Sequence, residues 1–139
     1  MIVLDTNVIS ELMKSLPNES VLAWLDGQPD ADCFLCAPVV AELRYGVASL
    51  PEGRRRSALI TSLDRIEVEE FGDRIVPFDR RAAHRHAEFR AKRKALGKPL
   101  SAMDAAIAAI ASVHAMTLAT RNVRDFAGLD VQVIDPFMA

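Results

Sequence analysis

Short apolar runs alternate with segments of helical period along the whole chain, and that alternation leaves few folds open. Ile2–Asp5, Cys33–Cys36, Arg74–Phe78, Met116–Thr120 and Val131–Ile134 read as short buried strands. Between them, Thr6–Lys14, Asn18–Asp26, Pro38–Leu50, Arg54–Glu70, Asp79–Leu96 and Ser101–Ala115 read as helices. Their ends carry suitable residues: Asn18 at a start, Gly27 at a stop, Pro38 in a first turn, and Gly97 and Pro99 after the longest helix. A helical turn around Asn122–Phe126 separates the last two strands. The predicted fold class is α/β: three layers, with a mainly parallel central sheet flanked by helices. With 139 residues, half of them apolar, residues 1–139 are expected to form a single domain.

In folds of this class ligands sit beyond the carboxyl ends of the strands. Asp5 ends the first strand, and Thr120, Arg121 and Asn122 follow the fourth. Two further acids stand where a carboxylate is awkward. On the helix from Pro38, Val39, Leu43, Gly46, Val47 and Leu50 form an apolar stripe with Glu42 on its flank. On the helix from Ser101, Asp104 projects into the sector of Met103, Ile107, Ile110, Ala111 and His114. Each acid has a purely structural reading as well. Glu42 fits a wetted rim or a pair with Arg44 or Arg85. Asp104 fits the capping box of "SAMD", and Asp5 an Asx-type cap for the helix that follows it.

Taken together, the three carboxylates come from a strand end and two helices that pack against one sheet. Clustered carboxylates repel unless a cation neutralises them, and a hard divalent ion such as Mg²⁺ or Mn²⁺ prefers carboxylate and water oxygens. Zinc is disfavoured, because His84, His86 and His114 show no ligand spacing. The thiols of "CFLC", Cys33 and Cys36, fall on opposite faces of a strand, which favours buried small residues over a redox pair.

The net charge of −2 predicts no strong general attraction to nucleic acid or membrane. Locally, eight Lys/Arg stand against two acids between Asp79 and Lys98, and Arg54–Arg56 adds a second basic cluster. Each reads either as a solvated helix face or as a phosphate-tracking surface. No apolar run approaches the ~20 residues that span a membrane, and no secretory signal is visible. A cytoplasmic location is expected.

The stretches "VLDTNVISEL", "VVAELRYGV", "SAMDAAIAAIA" and "LATRNVRDF", in that order and spacing, resemble the four motif blocks of a PIN domain. The resemblance is to the VapC toxins and, within them, the FitB-like branch. It implies that Asp5, Glu42 and Asp104 are the metal-binding acids, supported by Thr6 and Thr120. Many members of the family carry Asp where this chain has Asn122, and Asp125 lies three residues further on. Asn122 is taken as the fourth catalytic position, with Asp125 in a supporting role.

The resemblance further implies the toxin of a type II toxin–antitoxin system. Its activity would be that of an Mg²⁺-dependent endoribonuclease hydrolysing RNA phosphodiesters by metal-activated water, with Mn²⁺ as the alternative ion. It implies a homodimer or higher oligomer, held off by a VapB/FitA-like antitoxin that lies over the acidic cleft and alone contacts DNA. Arg81, Arg85 and Lys92 become candidate RNA contacts.

Two rivals stay open from the sequence. "VLDTN" could open a haloacid-dehalogenase-type phosphoryl-transfer fold with Asp5 as nucleophile, although that family wants a second Asp where Asn7 stands. Asn122 also permits a catalytically idle PIN fold that acts as an antitoxin-binding co-repressor.

Overall fold

Five parallel strands form one sheet in the order β3-β2-β1-β4-β5 in the computed structural model, which describes residues 1–139. They are β1 (Ile2–Leu4), β2 (Cys33–Cys36), β3 (Ile75–Val76), β4 (Thr117–Ala119) and β5 (Val133–Ile134). The six helices are α1 (Thr6–Leu12), α2 (Glu19–Asp26), α3 (Ala37–Ala48), α4 (Arg54–Asp64), α5 (Arg80–Ala95) and α6 (Ala102–Val113). The predicted α/β architecture is the observed one, with most elements a residue or two shorter at their ends.

The strand order places a switch point at β1. From β1 the chain moves one way to β2 and β3, then returns to lay β4 on the other side of β1. Connections leaving β1 and β4 therefore diverge, and the crevice between them opens beyond their carboxyl ends. Asp5 and Thr120 are the first residues past those two ends.

Local chemistry sets the helix starts. Asp5 caps α1 by accepting from the Thr6 N–H, Asn18 caps α2 through Ser20 and Val21, Asp79 caps α5 through Ala82, and Ser101 caps α6 through Asp104. The expected single helix from Arg54 to Glu70 instead changes pitch: α4 gives way to a π-type turn over Arg65–Phe71. Arg44 bridges that junction, pairing with Asp64 at 2.9 Å and with Glu67. Arg44 is thus spent on the α3–α4 contact and leaves Glu42 without it.

The Ala-rich α6 departs from the one-sided stripe drawn for it. Every residue from Ala105 to Ala111 is buried, while Met103 and His114 are only half-buried. A helix apolar all round belongs in the interior, and its alanines let the sheet and α5 approach it closely. The core is one contiguous cluster that includes Val3, Leu4, Leu35, Ile107, Ile110 and Leu118. Cys33 and Cys36 are buried and unpaired, as the small-residue reading requires.

The basic helix α5 is not uniformly solvated. Arg93 is buried, and its guanidinium donates to the carbonyls of Lys98, Asp125 and Ala127. Gly97, in the left-handed region at φ 72°, turns the chain so that Lys98 N–H closes back on the Arg93 carbonyl. Arg93 thereby fastens the 3₁₀ turn Val123–Phe126, which carries the fourth motif block, to the end of α5. Removing it strands three carbonyls, so Arg93→Met should lower stability by about 2–4 kcal/mol in urea unfolding.

Candidate functional site

A recess of about 380 Å³ lies over the switch point and is lined by Asp5, Thr6, Asn7, Ser10, Glu11, Lys14, Glu42, Asp104, Arg121, Asn122 and Phe137. It gathers the four residues nominated as catalytic, and topology explains why. Asp5 and Asn122 follow β1 and β4. Glu42 sits in the second turn of α3, directly after β2, and Asp104 in the first turn of α6, the end of that helix that starts from the carboxyl side of the sheet.

Asp5 is the most enclosed of the acids, only 4% exposed. One carboxylate oxygen accepts from the Thr6 N–H at 2.7 Å; the other accepts from the Thr120 hydroxyl at 2.7 Å and the Asn7 amide at 3.3 Å. The Asn7 amide also donates to Thr120 Oγ1, at 3.2 Å, and Asn7 Oδ1 receives the Arg121 N–H at 3.1 Å. Thr120 Oγ1 in turn accepts from the Asn122 N–H at 3.1 Å. Beyond the backbone ladder, which ends with the Asp5 N–H donating to the Ala119 carbonyl at 2.9 Å, the ends of β1 and β4 are thus also bound together through side chains.

Glu42 pairs with neither Arg44 nor Arg85. Its Oε1 accepts from the Thr6 hydroxyl at 2.6 Å, so Thr6 serves Asp5 with its backbone and Glu42 with its side chain. Asp104 keeps the helix-start geometry expected of it: its N–H donates to Ser101 Oγ at 3.1 Å. Its carboxylate stands half-buried over the recess.

Asn122 lines the recess, whereas Asp125 lines a neighbouring depression together with Arg121, Asn122, Arg124 and Asp135. Asp125 is still near enough for its charge to be felt at Asp5 and Asp104. Of the basic residues, Arg81 donates to the Val113 carbonyl and Arg85 to Ser112 Oγ, with Glu88 and Asp130 also beside Arg85. Both therefore sit at the far end of α6 from Asp104, roughly 12 Å along its axis at 1.5 Å per residue. Lys92 is exposed.

The residues missed in the sequence lie mostly on α1 and its continuation. Asn7, Ser10, Glu11 and Lys14 recur at helical spacing and turn one polar edge towards the recess. Glu11 is buried, accepting from Lys14 Nζ at 3.0 Å and the Asn18 N–H at 3.0 Å, and the Lys14 contact holds its carboxyl below the usual range. That spacing was the available signal. Arg121 stood past the end of the fourth strand with no role attached to it, and Phe137 offered no signal, because the two meet only through the fold.

Burial raises the Asp5 carboxyl above its ordinary value; the hydrogen bonds from Thr120 and Thr6 oppose this, and the charges of Glu42 and Asp125 add to it. Burial also raises Asp104, followed by the charge of Asp5, with Ser101 opposing and Asp125 reinforcing. Every acid lining the recess offers hard oxygen donors. No three His, Cys, Asp or Glu side chains stand close enough together to form a ready ligand cage. Mg²⁺ keeps several waters and takes only one or two carboxylates directly, so the donor set fits a hydrated hard cation.

A PIN-domain family model matches residues 2–131. Toxin FitB of Neisseria gonorrhoeae is 44% identical over 137 residues, 99% of each chain. VapC ribonuclease Y4jK of Sinorhizobium fredii is 41% identical over 137 residues, covering 99% of this chain and 98% of its own. The solved structure of FitAB bound to an IR36 DNA fragment superposes with a TM-score of 0.91 at 44% identity, over 99% of this chain and 96% of that one.

The raised carboxyls carry a pH signature. Folded Asp5 and Asp104 hold their protons to higher pH than the unfolded chain does, where the value is about 3.9. Folding therefore takes up protons between that value and the raised ones, and stability falls as pH rises through the window. In chelator, the melting temperature should drop across it and level off above. Asp104→Asn should flatten the drop and melt above the parent at neutral pH, since its capping N–H is untouched.

Proposed function

The chain belongs to the PIN-domain family, in the branch of the VapC and FitB toxins, and from that premise we propose that it is a toxin that cleaves RNA at the acidic recess. The observation that carries this reading is the arrangement around Asp5. A carboxylate is buried at a strand end, braced by two threonines and an asparagine, with Glu42 and Asp104 facing the same space.

Asp5, Glu42 and Asp104 would hold a divalent ion, Mg²⁺ with Mn²⁺ as the alternative. When bound, such an ion neutralises charge on a phosphodiester undergoing in-line displacement and activates water as the nucleophile. The chain's own residues supply the rest. Thr120 and Thr6 fix both oxygens of Asp5, and the Thr6 hydroxyl orients Glu42, so both carboxylates are held in direction by the protein itself. Asn122 stands at the rim with an amide that can accept or donate to a phosphate oxygen or a water. The same bracing argues against an idle fold, because an unused site has no call for a desolvated carboxylate. The absence of a carboxylate at position 7 argues against a dehalogenase-type nucleophile, since Asn7 serves to brace Asp5 instead.

Restraint by an antitoxin is supported by a second groove, about 670 Å³, that shares Thr6, Ser10, Lys14 and Glu42 with the recess. Its other walls include Met13, Leu43, Val47, Leu50 and Leu59. An amphipathic segment laid there would bring a guanidinium to the carboxylates, which it can pair bidentately. FitAB, as its structure is described, is bound to DNA; contact of this chain with DNA through an antitoxin follows as part of the proposal. Homodimer formation and a cytoplasmic site of action belong to it too; no helix is long and apolar enough to cross a membrane.

RNA cleavage by the purified chain should disappear in chelator and return with Mg²⁺ or Mn²⁺. Asn122→Ala should reduce it by about 10–100-fold, and Asp5→Asn by considerably more, because a braced anionic ligand is lost. Asp125→Ala should do less than either. Cleavage undiminished in chelator would contradict the reading. Damage from Asp125→Ala equal to that from Asp5→Asn would move the fourth position from Asn122 to Asp125.

A further inference from the structure

Two cations line the acidic recess, Lys14 and Arg121. They are not equivalent. Lys14 is held at 3.0 Å by the buried carboxylate of Glu11. Arg121 is exposed and makes no ion pair; its guanidinium lies 4.6 Å from the centre of the Phe137 ring. A guanidinium stacked on an aromatic face keeps its edge donors free and loses less side-chain freedom when it binds.

The base of Arg121 is equally well placed. It follows Thr120, whose hydroxyl holds Asp5, and its own N–H is held by Asn7 Oδ1, which belongs to the same network. Arg121 also lines both the acidic recess and the adjoining depression that contains Arg124. A polyanion crossing the recess and leaving past Asn122 must pass this guanidinium. Without it, the approach to three carboxylates would repel phosphate.

We propose that Arg121, pre-oriented on Phe137, binds the RNA phosphate adjacent to the one being cut and so positions the strand across the carboxylates. The inference rests on the nuclease reading of the recess. It makes Arg121 a substrate-positioning residue and Phe137 the support for it.

The test is binding of a fluorescently labelled single-stranded RNA to the full chain in chelator, followed by anisotropy over a series of salt concentrations. Arg121→Ala should weaken binding by about 10-fold, the scale of one charge-assisted contact. It should make the slope of log K against log salt shallower by about 0.7, the value for one phosphate contact on a single strand. Arg121→Lys should keep the slope and lose part of the affinity, and Phe137→Leu should weaken binding with the slope intact. An Arg121→Ala chain with the parent's affinity and slope overturns the proposal. So does equal weakening in the Ala and Lys variants with an unchanged slope and a lowered melting temperature, which makes Arg121 a prop for the C-terminal segment. Cleavage of the same RNA with Mg²⁺ separates the two readings. A parent that binds through Arg121 yet never cuts defeats the nuclease reading, whereas a parent that cuts with KM indifferent to Arg121→Ala defeats this inference alone.

Discussion

A carboxylate buried at the end of β1 is the constraint around which the rest of the molecule is arranged. Taking Asp5 out of water is unfavourable unless donors replace the water, and here they come from three places: the first turn of α1, the end of β4 and the Asn7 amide. The Thr120 hydroxyl is in reach only when β4 lies beside β1, and it shares Asp5 Oδ2 with the Asn7 amide, which also donates to Thr120 Oγ1. The strand order, the cap of α1 and the position of the fourth motif block are therefore conditions for the same hydrogen-bond set. Even so, the carboxyl stays raised by burial, so the bracing fixes its direction without fully offsetting its desolvation.

A two-tier arrangement follows. Residues that point the carboxylates, Thr6, Asn7 and Thr120, are tied to one another and to backbone. Residues that face outward, Asp104, Asn122 and Arg121, line the recess but keep their side-chain polar groups available. Farther out, Arg93 holds the turn after Asn122 through backbone carbonyls, and Arg44 clamps the change of pitch after α4. The basic residues nearest to a purely electrostatic explanation, Arg81, Arg85 and Arg93, turn out to be engaged with carbonyls or hydroxyls of neighbouring elements. Charge counting along a helix cannot tell a solvated lysine from a guanidinium that fastens two elements.

Much of the architecture was legible because it is periodic. The strand and helix order, the caps at Asn18 and Ser101 and the stop at Gly97 are local, and local chemistry decides them. Asp5, Glu42 and Asp104 could be singled out as acids in awkward places, and they do line one recess. What could not be read is whatever depends on strand order. Asn7 looks like a helix-start residue until β4 arrives beside it and brings Thr120. Glu11 looks like an exposed helix acid until Asn18 folds back on it, and the Arg121–Phe137 stack joins residues with no periodic relation. The all-round burial of α6 was missed for a related reason: alanines carry no signal for which faces will be covered, so the larger residues alone suggested a stripe.

Asp5 and Asp104, on elements about a hundred residues apart in sequence, are proposed to act on one hard cation. Titration of the metal-free chain with Mn²⁺, followed by electron paramagnetic resonance of the free ion, tests it without reference to any substrate. The parent should take up Mn²⁺, and Asp5→Asn and Asp104→Asn should each abolish or severely weaken that uptake while both variants stay folded. Uptake unchanged in either variant would mean that the two carboxylates do not share an ion, and the recess would have to be explained as structure alone.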